Sequence, residues 1–261
     1  MALIYTILNQ KGGVGKTTTA INLGAYLAHY GQKVLLVDID PQANATSCLG
    51  IDKRTVENGI YQNLINASDP SGAILYNNRL QLSLLPSSPD LTGAEVELIE
   101  IAGRESRLKK VLAHVHQRYD YLLVDCPPSM NLLTLNGMVA AKDGLIIPVQ
   151  CEYLALEGIS QMLETIQRVR SSLVPDLRIR GVLLTMYDSR TNLSKDVEEE
   201  IRKFFPNQTF DIVIPRSVRI AEAPSYGLPI LAYQPNSPGA AAFNQLAQEV
   251  LAADGKAVPV K

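Results

Sequence analysis

Apolar positions along the first forty residues fall into blocks of different period. LIYTIL is a continuous apolar run that reads as a buried strand, and NQKGGVGK is a glycine-rich loop. TTTAINLGAYLAHY has helical spacing up to Gly31, and KVLLVDID is a second strand. Together they make one βαβ unit. The rhythm returns where RLKKVLAHVHQ precedes YDYLLVDCPPS, LIIPVQ follows, and LEGISQMLETIQRVRSSL precedes IRGVLLTMY. Runs such as YLLVD and VLLT do not alternate with polar residues, as they would if one face of the sheet met water. The pattern predicts an α/β fold: a doubly wound, mostly parallel sheet with helices on both faces.

Elsewhere the periodicity loosens. Between Leu49 and Arg107 a helix is expected at TVENGIYQNLI, a short strand at LQLSLLP and turns at PSSPD, all read as a peripheral elaboration of one domain. After Phe205 comes the proline-punctuated IVIPRSVRIAEAPSYGLPIL, then a last helix from roughly Gly239 to Ala253. The expected domain is 1–253, with 254–261 (DGKAVPVK) a flexible tail. No internal repeat, coiled-coil heptad or low-complexity tract is apparent.

Composition narrows the class without naming a chemistry. A chain of 261 residues with 46% hydrophobic and 19% charged residues suits one packed domain. The net charge of −2 gives no global attraction to nucleic acid or an anionic membrane, so any such binding must be local. There is no apolar run of about 18 residues and no signal-peptide pattern, which predicts a cytoplasmic protein. Cys48, Cys126 and Cys151 stand singly, against a zinc site, an iron-sulfur cluster or a disulfide framework.

The chemistry concentrates in the loop. A glycine-rich turn between a buried strand and a helix offers backbone N–H groups and a positive helix end to an anion. Gly12, Gly13, Val14, Gly15, Lys16, Thr17 and Thr18 are the expected ATP-binding residues. Lys16 reaches the β- and γ-phosphates, and the Thr17 hydroxyl ligates magnesium. The match is a variant, because Gln10 occupies the first glycine of G-x-x-x-x-G-K-[ST]. Asp125 ends YLLVD as a Walker-B carboxylate holding magnesium through water, while VLLVDIDPQ ends in Asp38 and Asp40 on the same sheet edge. Asp40 is assigned to orienting the attacking water and Asp38 to supporting the magnesium shell. Lys11 is a second lysine, surplus to a simple phosphate loop.

KGGVGKTT with Lys11, DIDPQANAT, YDYLLVDCPPS and VIPRSVRIAEAPSYG together resemble the ParA/Soj family of chromosome and plasmid partitioning ATPases, the deviant Walker-A branch of P-loop proteins. The resemblance runs from Leu3 to about Val250. It implies an ATP-dependent homodimer sandwiching two nucleotides, non-specific binding to double-stranded DNA in that state, and release when a ParB-type protein stimulates slow hydrolysis. Lys11 would be the signature lysine acting across the dimer, Asp40 the switch I residue, and Cys126 to Met130 switch II. Pro215 and Ser217 would lie by the base, and Arg190 and Arg219 would contact DNA, placing the protein at the nucleoid. Since the first strand begins at residue 3, no room is expected for the helix-turn-helix domain of some plasmid relatives.

A local count bears on the DNA expectation. Arg168 to Arg219 holds ten Arg/Lys against seven Asp/Glu, a balance of +3 that a two-fold dimer would double. MinD-like positioning ATPases are the alternative. They attach to membrane by a basic amphipathic C-terminal helix, which FNQLAQEVLAADGKAVPVK does not resemble, so no membrane partner is expected. Nitrogenase-type reductases bridge a cluster with cysteines that these three do not supply, and a scaffold that binds ATP without turnover would not need Asp40.

Overall fold

The computed structural model describes residues 2–153 and 155–258. In chain order the main elements are β1 (Leu3–Ile7), α1 (Lys16–His29), β2 (Val34–Asp38), α2 (Asn44–Cys48), α3 (Ile60–Asn66), β3 (Leu75–Asn77) and β4 (Leu82–Leu85). Next come α4 (Leu91–Glu97), α5 (Arg107–Ala113), β5 (Tyr121–Asp125), α6 (Leu132–Ala140), β6 (Gly144–Gln150), α7 (Ala155–Ser172) and β7 (Ile179–Thr185). The chain closes with α8 (Asn192–Phe204), α9 (Val218–Glu222), α10 (Ile230–Tyr233) and α11 (Pro238–Ala253), with short 3-10 turns between several of these.

The strands form one sheet in the order β3-β4-β2-β5-β1-β6-β7. Every pairing is parallel except that of β3 with β4, an antiparallel edge absent from the sequence pattern. Both faces are covered, which accounts for the continuous apolar strands. Leu35, Val37, Leu122 and Val124 face a core closed by α3 to α8, while Val34, Leu36, Tyr121 and Leu123 face one closed by α1 and α11. Period-two alternation survives as a choice of core rather than of core against water.

The segment from Leu49 to Arg107, expected at the periphery, is part of the body. β4 pairs with β2 in the main sheet, and Ile60, Leu64, Leu91, Ala94 and Leu98 are completely buried. Its helix starts at Ile60 rather than Thr55, because Gln62 reaches back to accept a hydrogen bond from the Gly59 N–H at 3.0 Å. Two further helices are absent from the expectations above, although α8 does carry a sequence signal, an amphipathic stripe of Ser194, Val197 and Ile201 behind a Thr191 cap. α6 is buried nearly all round and so lacks an amphipathic period, while α8 carries mostly charged residues outward.

The tail is a second correction. Asp254, expected as the first loose residue, accepts hydrogen bonds from Tyr5 at 2.7 Å, Tyr121 at 2.9 Å and Arg180 at 3.2 Å. It ties the end of α11 to the starts of β1, β5 and β7, at the opposite end of the sheet from the glycine-rich loop. Residues 259–261 of the expected tail lie outside the described residues.

Candidate nucleotide site

Sheet register gathers the dispersed acids. β5 lies between β1 and β2, with Asp125 level with Ile7 on one side and with Asp38 on the other. The loop of residues 8–15 leaves β1 at that same edge and enters α1. Its backbone needs left-handed conformations at Gly13 (φ 76) and Gly15 (φ 92) only, where a side chain would be strained. Gln10 is not among the residues with positive φ, so the glycine missing from the standard motif has no conformational role here.

The loop is pinned from outside by residues the sequence did not single out. Asn9 donates to the Pro148 carbonyl at 2.7 Å and accepts from the Lys11 N–H at 3.0 Å, fixing the loop to β6. Thr185, at the end of β7, donates to the Val14 carbonyl at 2.8 Å. Each lies at a strand end facing the loop, which is a tertiary relation without a sequence motif.

The two lysines take different places. Lys16 is 6% exposed and donates from Nζ to the Lys11 carbonyl at 2.9 Å, closing the loop around its own ammonium. Burial lowers its affinity for a proton, while the carboxylates of Asp125 and Asp40 pull it back up. Lys11 instead forms an ion pair with Glu152, just beyond β6. Glu152 lies far along the chain from Lys11, and nothing in its spacing announces it.

The acids divide their work as well. Asp125 is fully buried, and its Oδ2 accepts from the Thr17 hydroxyl at 2.7 Å. Its Oδ1 is buried with no hydrogen-bond partner. Burial first, then the charge of Asp38, pushes its carboxyl well above the ordinary range. A buried, unpartnered carboxylate oxygen beside a hydroxyl is what a hydrated divalent cation satisfies, so these residues fit magnesium.

Asp38 is assigned differently from the sequence reading. Its Oδ2 accepts from both the N–H and the hydroxyl of Thr46, at 2.8 and 2.7 Å, and its Oδ1 from the Asp40 N–H at 3.2 Å. Both oxygens are therefore engaged in shaping the turn into α2. The turn is completed by Ser87 after β4, which donates its N–H to Thr46 at 3.0 Å and its hydroxyl to the Asp40 carbonyl at 2.8 Å. Asp40 itself is 4% exposed, accepts from the Gln42 N–H at 2.8 Å, and has its carboxyl raised chiefly by burial.

Beside the loop a cleft of about 420 Å³ runs from Gly15 and Thr18 past Thr185 and Met186 to Pro215 and Ser217. Its mixture of apolar wall and a few polar groups suits a purine base next to a phosphate loop. Pro215 and Ser217 line this cleft together with Gly15 and Thr18 of the loop.

A bridge between Tyr187 and Pro215 joins the two segments that carry the DNA-candidate arginines. Both are exposed and paired: Arg190 with Asp188 at 2.6 Å and Arg219 with Glu222 at 2.8 Å. The +3 counted along the chain is not a patch in space. Arg178 and Arg180 sit at the start of β7, the far end of the sheet, and Arg202 and Lys203 pair with Glu198 and Glu200 on α8. A linear count ignores which end of a strand a charge occupies.

Known proteins resemble the chain along its whole length. Residues 2–179 match the AAA domain family. The chain is 53% identical to the sporulation initiation inhibitor protein Soj of Bacillus subtilis, over 97% of this chain and 99% of that protein. It is 49% identical to the chromosome partitioning protein ParA of Myxococcus xanthus, over 96% and 88% respectively. A crystal structure of cobyrinic acid a,c-diamide synthase from Mycobacterium smegmatis, with bound ADP and magnesium, superposes with a TM-score of 0.85 at 37% identity, covering 100% of this chain and 99% of that one. That neighbour's name carries a different chemistry on the same nucleotide-binding body, and the partitioning proteins match at higher identity. At that identity and coverage, this protein belongs to the Soj/ParA family of chromosome-partitioning ATPases.

Proposed function

We propose that the chain is an Mg-ATP-dependent DNA-partitioning switch. In this reading two copies close around two ATP molecules, the dimer binds double-stranded DNA without sequence preference, and a ParB-type protein stimulates the hydrolysis that releases it. The observation that carries the reading is the separation of the two lysines. Lys16 closes its own loop, whereas Lys11 is held at the loop's margin by an ion pair with Glu152, where a partner's nucleotide can compete for it.

Phosphoryl transfer depends on positioning and on neutralising charge at the γ-phosphate. Magnesium, when bound with ATP, neutralises phosphate charge; Thr17 and Asp125 are the residues that would hold it, Asp125 through water. Lys16 binds the β- and γ-phosphates of its own subunit. Asp40, kept in place by Gln42 and Ser87, orients the attacking water, and Asp38 fixes the turn that carries Asp40. Pro215 and Ser217 bound the base. Arg190 and Arg219 contribute DNA contacts by exchanging their carboxylate partners for phosphates, a reaction favoured at low salt.

The test is a DNA-binding titration with ADP, ATP and a non-hydrolysable ATP analogue, run beside light scattering. Tight DNA binding and dimers are expected with ATP and the analogue, and neither with ADP. Nucleotide-independent DNA binding would overturn the switch. Lys11→Ala is expected to lose dimerisation while keeping ATP affinity within about threefold, since a trans contact contributes to the dimer rather than to monomeric binding. A collapse of monomeric ATP affinity would make Lys11 a ligand of its own nucleotide.

A further inference from the structure

Lys11 and Glu152 belong to two segments whose backbones are held in place, so that only their side chains join across the gap. The Lys11 N–H donates to Asn9 Oδ1 at 3.0 Å, and its carbonyl accepts from Lys16 Nζ at 2.9 Å. Opposite, the Cys151 N–H donates to the Thr185 carbonyl at 3.1 Å, and the Glu152 carbonyl accepts from the N–H of Ala155, the first residue of α7, at 3.0 Å. Thr185 serves both segments, because its hydroxyl also donates to the Val14 carbonyl at 2.8 Å. The fold sets the separation of the two backbones, and the ion pair between the side chains is what can open.

The two partners lose different things when it opens. The Lys11 side chain is 42% exposed, so water can take up its ammonium. The Glu152 side chain is 32% exposed, but its Oε1, the atom turned to Lys11, is buried and has no hydrogen-bond partner among the described residues. Lys11 supplies the charge that compensates this oxygen, and no other salt bridge reaches Glu152 among the described residues. A buried carboxylate oxygen left without donor or counter-charge is destabilising, so the pair favours keeping Lys11 on its own subunit.

Closure of two copies has to break that pair. For each Lys11 to reach the other copy's nucleotide it must leave its own Glu152, and two-fold symmetry makes this happen twice. The cost is the same whichever nucleotide is bound. The opposing pull is not, since a γ-phosphate brings negative charge close to the lysine that a diphosphate lacks. A fixed cost therefore leaves ATP-bound copies able to close and holds nucleotide-free and ADP-bound copies apart.

We propose that Glu152 is a positioning residue acting through Lys11: it latches the lysine on its own subunit and so sets the protein concentration at which ATP-bound copies close. The trans role of Lys11 rests on the partition-switch reading, whereas the latch is a property of the single chain.

Two measurements on the full chain test the two parts. The latch is read in nucleotide-free protein by acetylation with an N-hydroxysuccinimide ester and mass spectrometry, with exposed Lys109 as the internal reference. Lys11 should react about threefold faster in Glu152→Gln, the scale of a partly exposed ion pair, and in the wild type its rate relative to Lys109 should rise with salt. The threshold is read by sedimentation with a non-hydrolysable ATP analogue. The monomer–dimer dissociation constant should fall roughly tenfold in Glu152→Gln at low salt, about threefold for each of two pairs, and the gain should shrink as salt screens the pair in the wild type. Unchanged labelling of Lys11, or dimerisation unaltered or weakened in Glu152→Gln, overturns the proposal. So does a Lys11→Ala/Glu152→Gln variant that gains over Lys11→Ala what the single variant gains over the wild type, because Glu152 then acts without Lys11. Should the wild type stay monomeric with the analogue while Glu152→Gln still frees Lys11 for labelling, the partition reading fails and the threshold role with it, but the latch stands.

Discussion

Asp40 and Asp38 are two residues apart and do unlike things. Asp40 leaves one carboxylate oxygen uncommitted at the nucleotide edge, while both oxygens of Asp38 are turned inward on Thr46 and the Asp40 N–H. Asp40→Ala is accordingly expected to bind ATP and dimerise as before but to lose hydrolysis by at least about a hundredfold, the usual scale for a group that positions or deprotonates the nucleophile. A steady-state phosphate-release assay alongside light scattering checks both halves. Asp38 predicts a pH effect. Burial raises its carboxyl to about 6, with Asp125 and Asp40 shifted the same way. A raised folded-state value means that the native protein holds a proton the unfolded chain has released, so stability falls as pH climbs from the ordinary carboxylate range to about 6. In magnesium-free buffer with EDTA, Tm should decline across that window. Asp38→Asn should have a lower Tm throughout, having lost acceptors for Thr46, and a flatter pH slope.

At the scale of elements, α6 shows how closely a helix can be seated behind a functional loop. Thr6 of β1 donates to the Gly137 carbonyl at 2.7 Å, and a Cβ at Gly137 would stand 2.7 Å from Cys126 Sγ and 3.1 Å from Thr6 Cγ2. Gly137→Ala must therefore push α6 away from β1 and from Cys126, the residue after Asp125. A destabilisation of about 1–3 kcal/mol is expected from such overpacking, read by urea denaturation. The basal ATPase should fall with it, because Asn131 at the head of α6 moves too. The same close seating hid α6 from a periodicity reading, since a helix buried all round has no polar face to reveal its turn.

The whole molecule is held at both ends of its sheet by different means. At the nucleotide edge the loops are tied by neutral side-chain hydrogen bonds from Asn9, Thr185 and Ser87. At the opposite edge Asp254 gathers Tyr5, Tyr121 and Arg180, with its side chain 5% exposed and that of Arg180 18% exposed. Removing one partner of so buried a pair leaves the other charge without compensation. Asp254→Ala should destabilise the fold by about 3 kcal/mol or more in urea denaturation while leaving ATP affinity within twofold, because the lock is remote from the loop. Among the described residues no helix is long and apolar enough to cross a membrane.

Much of this was legible in the chain. Continuous apolar strands between amphipathic helices can be buried only in a parallel sheet covered on both faces, and the glycine-lysine-threonine junction of a strand and a helix has one common use. Such features are written in consecutive residues, so Lys16, Thr17, Asp40 and Asp125 could be named from local pattern. The tertiary structure alone decided how distant positions share them: Glu152 on Lys11, Ser87 behind Asp40, Thr185 on Val14, and Asp254 as an anchor instead of a loose end. It also spread the basic stretch from Arg168 to Arg219 over distant places, with Arg178 and Arg180 at one end of β7, Arg190 beyond the other and Arg202 and Lys203 on α8, each in an ion pair. Periodicity reports which face of an element is buried. Which side chains then meet depends on strand order and register, and those are fixed by the packing of the whole sheet.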